Sequence, residues 1–363
     1  MQQGNVSALA TDLTQSGTRR LWRCHTCETP FAETRATVFC DLRTSEDKGM
    51  MALHMLLVRV ALAGLRLVLG GTEETGLAWL RRAAQQAATI NQHLRRTLPV
   101  TQGHLDARGN FIGRTPAQET DAAGESVPDS AEGRQGVWVS LAPAFRLMIP
   151  AMVGPRTRDT ATAVVAVTQA RVAGIPACFR AGCTCSLAAL IAACHVVTTC
   201  ARTGPRGRPR KPRWEPPPEV VYGPLVTQQP QGTRLTRRTR VVVGTERLTP
   251  LGLRISTAVV ARVHVPLRQA LAPLVRQTSG FWKDRERLRQ RVGVFQAFSK
   301  RASPHMRLQP PLAQHEQTRH GAIRPRWRQQ TPAMAAGMTD HVWTFRELLT
   351  VKFEPLNSQS MSG

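Results

Sequence analysis

The chain has 363 residues, with 49 Lys and Arg against 24 Asp and Glu and a net charge of +25. Its length suffices for two or three cored domains, and its charge points to a polyanionic partner, nucleic acid first. The best apolar run, Met55 to Leu69, is broken by Arg59 and Arg66, whereas a membrane span needs roughly 20 apolar residues.

Met1 to Gln15 lacks the apolar core of a signal peptide, and no helix pairs a Lys/Arg face with an aromatic face as a membrane-surface helix would. The expectation is a cytoplasmic, nucleoid-associated protein without a membrane partner. Eight cysteines in such a reducing compartment do not read as a disulfide frame. Aromatic residues make up 5% of the chain, with a single Tyr, so loose packing and modest stability are expected.

In chain order, residues 16–40 hold a short Cys-containing segment. Ser45 to about Arg96 reads as helical, with Met51, Met55, Val58 and Leu62 at helical spacing. After Gly70-Gly71, a second helix opens at Thr72, an N-cap followed by Glu73 and Glu74. Leu77, Leu80 and Ala84 form its stripe, and Arg81, Arg82, Arg95 and Arg96 decorate it. The pattern fits either a helix-turn-helix DNA reader or an ordinary helical hairpin.

A strand at Val100 to Leu105 precedes a polar loop over 113–134. Val137 to Val139 and Arg146 to Val153 read as a hairpin, with Pro150 marking an edge strand. Thr157 to Val172 is a helix, Ile175 to Phe179 a strand, and Ser186 to Val196 an apolar helix. The predicted fold is α/β with a mixed sheet. Ala201 to Pro218 reads as a coreless linker, Val220 to Val243 as short strands, and Thr257 to Arg276 and Asp284 to Lys300 as helices. From Arg301 the chain reads as irregular until His341 to Thr350.

The sharpest local motif is the basic run from Arg202 to Arg213, whose centre, Pro205-Arg206-Gly207-Arg208-Pro209, resembles an AT-hook. Gly207 would let the backbone sit deep in an A·T minor groove, with Arg206 and Arg208 drawn along it by its negative potential. Arg210, Lys211 and Arg213 extend the run. A basic linker touching only phosphates is the plainer alternative. Cys24-His25-Thr26-Cys27 is half a zinc ribbon. Zinc needs four ligands and residues 1–23 supply no Cys, so zinc is not expected at Cys24 and Cys27. The cysteines from 178 to 200 match no finger spacing and read as small apolar residues. Asp106, at the end of a predicted strand, is either a metal ligand or a solvated loop residue.

Taken together, these pieces resemble the insertion-sequence-one DDE/D transposase family. The likeness is carried by Thr331-Pro-Ala-Met-Ala-Ala-Gly-Met-Thr-Asp-His-Val-Trp-Thr-Phe-Arg-Glu-Leu-Leu349, by Val68 to Arg82, by Gly154-Pro-Arg-Thr-Arg-Asp159 and by Gly204 to Arg213. Ser303-Pro304-His305-Met-Arg-Leu308 resembles the family's Arg-Pro-His-x-x-Leu motif, with Ser in place of its Arg. The likeness runs from about residue 18 to 355. It implies four regions: a degenerate half zinc ribbon (1–44), a helix-turn-helix (45–98), an RNase-H-like catalytic domain (99–300) with an AT-hook-like insertion (202–213), and a C-terminal tail (301–363).

The resemblance also implies Mg²⁺-dependent strand cleavage and transfer on double-stranded DNA at element ends, with a homo-oligomer compatible with that work. In such enzymes three carboxylates hold two divalent ions for in-line phosphoryl transfer. Here the first acid matches Asp106, while Ala181 and Ala261 stand where the second and third belong. No Asp or Glu occurs from Thr160 to Trp214 or from Arg247 to Lys283, so no shift of register restores them. Pro266 also falls inside the helix that would carry the third acid. The implied protein binds DNA without catalysis and without functional Mg²⁺. The alternatives are an active transposase with a different acid set and a poorly folded remnant.

Overall fold

The computed structural model describes residues 5–14, 17–58, 60–93, 97–111, 134–181, 186–198, 213–217, 219–228, 236–239, 243–247, 266–267, 269–271, 284–317 and 323–352. The N-terminal segment is a three-stranded antiparallel sheet, β1 (Val6–Thr14), β2 (Gly17–Cys24) and β3 (Pro30–Ala32), in that order. The Cys24–Cys27 motif lies at its second turn.

The helical stretch beginning at Ser45 divides into three helices where two were expected: α1 (Glu46–Leu57), α2 (Leu62–Leu69) and α3 (Glu73–His93). α1 buries Ala52, Leu53, Leu56 and Leu57, so Met51 and Val58 of the expected stripe are exposed. The expected stripe erred because two adjacent apolar faces run along this helix, and packing selects between them. Gly70 and Gly71 both take positive φ and form the α2–α3 turn. Thr72 caps α3, its Oγ1 accepting from Thr75 N–H at 3.3 Å, and Glu74 beside it titrates below its ordinary value because of backbone and Thr72 hydrogen bonds. Gly76 is a packing residue: a Cβ there would lie 3.2 Å from Leu62 Cδ2, so a larger residue would require that side chain to give by a few tenths of an ångström.

The central sheet has six strands: β4 (Gln102–Phe111), β5 (Arg134–Ala142), β6 (Leu147–Pro155), β7 (Ala177–Ala181), β10 (Tyr222–Gln228) and β11 (Thr236–Thr239). Their spatial order is β11-β10-β7-β4-β5-β6. β4, β5 and β6 form an antiparallel meander, β7 runs parallel to β4, and β10 parallel to β7. The expected α/β class with a mixed sheet is therefore present. Along β5 the faces alternate with period two. Trp138 joins Val164 and Leu190, from α4 (Arg158–Gln169) and α5 (Ser186–Cys194), while Val137 and Val139 face the opposite side. Thr157 caps α4, accepting from Thr160 N–H at 3.4 Å. Gly154 is required where α4 meets β6, since a Cβ would stand 2.7 Å from Thr160 Cγ2.

On the opposite face, α6 (Arg285–Arg301), capped by Asp284, packs between the sheet and α3. A single core runs from Leu53, Leu80 and Ile90 through Leu288 and Phe295 to Val139. The C-terminal region, expected to be mostly irregular, contributes to the same core. A hairpin of β12 (Pro311–Gln317) and β13 (Ile323–Trp327) leads to the short helices α7 (Pro332–Ala335) and α8 (Phe345–Thr350). Phe345, Leu348 and Leu349 are buried against the core, and the Phe345 ring stacks 3.9 Å from His54 of α1. Thr344 and Glu347 make a reciprocal capping box. The Thr-Phe-Arg-Glu pattern in the sequence signals that box directly.

β6 is an edge strand, as Pro150 requires, and its pairing with β5 slips by one residue between Val139 and Leu141. At this bulge the Ile149 carbonyl is turned away from the ladder and accepts from Arg171 Nη1 at 2.9 Å, Gln296 Nε2 at 2.9 Å and Lys300 Nζ at 3.0 Å. Among the described residues no helix is long and apolar enough to cross a membrane.

Candidate functional site

Asp106 lies in β4, half-buried, opposite Val139 of β5 on one side and Ala181 of β7 on the other. Its Oδ1 accepts from the Ala107 backbone N–H at 2.8 Å. Ala181 is the last residue of β7, so the two positions are register partners on adjacent parallel strands, which lie about 4.8 Å apart. The structure thus sets side by side Asp106 and Ala181, the residues that the resemblance matches to the first and second acids. Ala261, matched to the third, lies outside the described residues. Among the described residues no group of three or more His, Cys, Asp or Glu is arranged to hold a metal ion. One carboxylate and an alanine do not fit a pair of hard cations, whose ligands are mainly oxygens.

His104 precedes Asp106 by two residues on the same face and is 3% exposed. It lies 3.0 Å from the Gln102 side-chain amide, with its ring tilted against Phe179. Sequence reasoning missed it, because nothing in a lone His on a strand announces burial. Burial lowers its pKa from 6.5 to about 4. The folded chain therefore keeps His104 neutral, whereas the unfolded chain protonates it as pH drops below 6.5. Its contribution is complete above pH 6.5 and declines until about pH 4, a loss on the order of 3 kcal/mol. Urea unfolding between neutral pH and about pH 4.5 should show this slope, and His104→Gln should remove the corresponding proton's worth. An identical pH dependence in the variant would refute the assignment.

The DNA-contact candidates separate. Arg81 is exposed on α3, with Gln85 and Gln92 on the same outward stripe. Arg82 instead turns inward and donates through Nη1 to the Cys40 carbonyl and, at 3.5 Å, to that of Val38. It fastens the 36–41 segment onto α3, which the spacing of two adjacent arginines could not reveal. Arg206, Gly207, Arg208, Arg210 and Lys211 lie outside the described residues. The bases of their segment are described. Thr198 of β8 (Val196–Thr198) pairs with Arg213 of β9 (Arg213–Glu215), and His195 stacks on Trp214 with ring centroids 4.1 Å apart. Within the stretch expected to be a coreless linker, Ala201 to Pro218, residues Arg213–Glu215 instead form a strand paired with the residues just before that stretch.

At the N-terminal turn Cys24 is half-buried and Cys27 exposed. The Cys27 thiol is lowered to about 7 by hydrogen bonds from Thr29 and then from Cys24. Cys40 is raised, first by burial and then by Asp41, which its thiol contacts at 3.3 Å. Two thiolates leave two of zinc's four positions to water. Purified chain should carry well under about one equivalent of zinc by elemental analysis. Stoichiometric zinc, lost on Cys24→Ser with Cys27→Ser, would contradict this. Cys178 is fully buried and raised to about 12 by burial, a core residue like Cys194.

Sequence reasoning also passed over the basic cluster where α6 ends. Lys300, Arg301 and His305 gather there with Arg146 of the β5–β6 turn. The Ser303 to Leu308 motif, with His305 and Arg307, was noticed for its resemblance alone, and nothing in it showed that Lys300 and Arg146 would lie beside it. No family model and no curated protein matches the chain.

Proposed function

We propose that the chain is a DNA-binding relative of the insertion-sequence-one type of DDE/D transposase, with its strand-transfer chemistry lost. The observation that best supports this reading is the pairing of Asp106 with Ala181 on adjacent parallel strands, the relation expected if an alanine replaces a second metal-ligating carboxylate. The mixed sheet, with Asp106 on the first strand of its meander, supports an RNase-H-like reading of this domain. The two-glycine turn between α2 and α3, with Arg81 on the outer face of α3, supports a helix-turn-helix reading. The net charge of +25 supports duplex DNA as the partner.

The capped helices and shared core argue against a poorly folded remnant. A single mixture tests the reading: supercoiled plasmid with Mg²⁺ should be retarded on a gel yet remain uncut. Metal-dependent nicking, lost on Asp106→Ala, would favour an active enzyme. Failure to retard any duplex at low salt would remove the DNA-binding half.

A further inference from the structure

The end of α6 and the turn after it enclose a cavity of about 140 Å³. Its polar lining includes Arg146, Ser299, Lys300, Ser303, His305 and Arg307, and among the described residues that line it none is acidic. Lys300 is 4% exposed. Its ammonium is held by the Ile149 carbonyl, where three donors converge on an oxygen with two lone pairs. Next to it Arg301 is fully buried; its Nη1 donates to Asn91 Oδ1 at 3.4 Å and its guanidinium lies 5.7 Å from the Trp343 ring centroid, while its Nε and Nη2 have no hydrogen-bond partner among the described residues. Buried cations are ordinarily paired with anions.

Two further details bear on a ligand. Arg146 has a φ of +53°, a conformation that glycine would adopt more easily. A long cationic side chain at such a turn points to a role for the side chain itself. His305 Nδ1 accepts from the Arg307 backbone N–H at 3.2 Å, so in its neutral form the ring donates through Nε2. The His305 pKa is lowered by burial, then by Arg146 and Arg307. That of Lys300 falls well below its ordinary value through burial, Arg301 and Arg171. An anion in the cavity would reverse these penalties.

We propose that this cavity is a phosphate site, receiving a phosphoryl group among Lys300, Arg146, Arg307 and the His305 Nε2–H. A carboxylate would offset one of these charges, whereas a phosphate offsets up to two. The proposal does not depend on the transposase reading. The phosphate comes either from a nucleic-acid backbone or from a free phosphate, and the experiment separates the two.

Thermal melts of the full chain in phosphate, against potassium chloride at matched ionic strength, should show Tm rising by about 3 °C or more. Arg307→Ala alters an exposed residue and should lose most of the rise. Lys300→Met replaces a buried ammonium with an apolar chain of similar length, and should fold at least as well while abolishing the rise. No rise beyond chloride, or an undiminished rise in either variant, overturns the proposal. Duplex titrations then identify the source. If the phosphate is that of a DNA strand, Arg307→Ala weakens duplex binding and reduces its salt slope by about one. Unchanged duplex binding, with the phosphate response lost, assigns the site to free phosphate. A chain that responds to phosphate but binds no duplex loses its DNA-binding reading and keeps this site.

Discussion

Ala181→Asp combined with Ala261→Glu is expected to turn a chain that leaves supercoiled plasmid intact in Mg²⁺ or Mn²⁺ into one that nicks it. The argument is electrostatic and geometric. Two divalent ions about 4 Å apart repel each other strongly unless several carboxylates surround them. Asp106 alone supplies one charge. Position 181 is its register partner on the neighbouring parallel strand and shares its face of the sheet. A carboxylate introduced there is within reach of the same ions. The effect should be close to all-or-none, since enzymatic rate enhancements begin at about a millionfold.

Pro266 stands where the helix of the third acid would run, so the reversion is made with and without Pro266→Ala. Addition of Asp106→Ala should abolish any cutting gained. Cutting by the unaltered chain that depends on Asp106 would show that one acid suffices. A folded, metal-exposed triple revertant that never cuts would place the family's acid positions elsewhere in this chain.

The second large effect concerns salt. A chain of net charge +25 making six to ten phosphate contacts should lose roughly 10³ to 10⁵ in duplex affinity between about 50 and 200 mM salt. Arg206→Ala with Arg208→Ala should weaken A·T-rich duplexes more than G·C-rich ones, because the narrow A·T minor groove has the stronger negative potential. The strand pair Thr198–Arg213 brings the residues flanking that basic segment together. Disrupting that pairing with Trp214→Ala, which also removes the His195 stack, should weaken binding without changing the base preference. Equal losses on both duplex types after the Arg substitutions would reduce the segment to a phosphate contact.

Much of the architecture was legible along the chain because its causes are local. Thr72, Thr157 and Asp284 are helix caps readable from their neighbours, and Pro150 marks an edge strand because it has no N–H to give a ladder. The α/β class followed from the order of periodic segments. Other features depended on partners distant in sequence. Arg82 and Arg81 are adjacent and chemically alike, yet only packing against the Val38 and Cys40 carbonyls turns one inward. Met51 and Val58 fell off the buried stripe because α1 packs through the neighbouring apolar face, Ala52, Leu53, Leu56 and Leu57.

The C-terminal helix was expected within a tail, because its sequence does not show what its apolar side, Phe345, Leu348 and Leu349, packs against. It is ordered by a core that residues some 290 positions earlier help to build, as the contact of Phe345 with His54 shows. The basic cavity is the plainest case. Its cations come from a β-turn, a helix end and the turn beyond it, gathered by a bulge that frees the Ile149 carbonyl. Sequence patterning fixes which face of an element is apolar, because that depends on neighbours one turn away. Which buried charges share a pocket depends on long-range packing, and only the tertiary structure decides it.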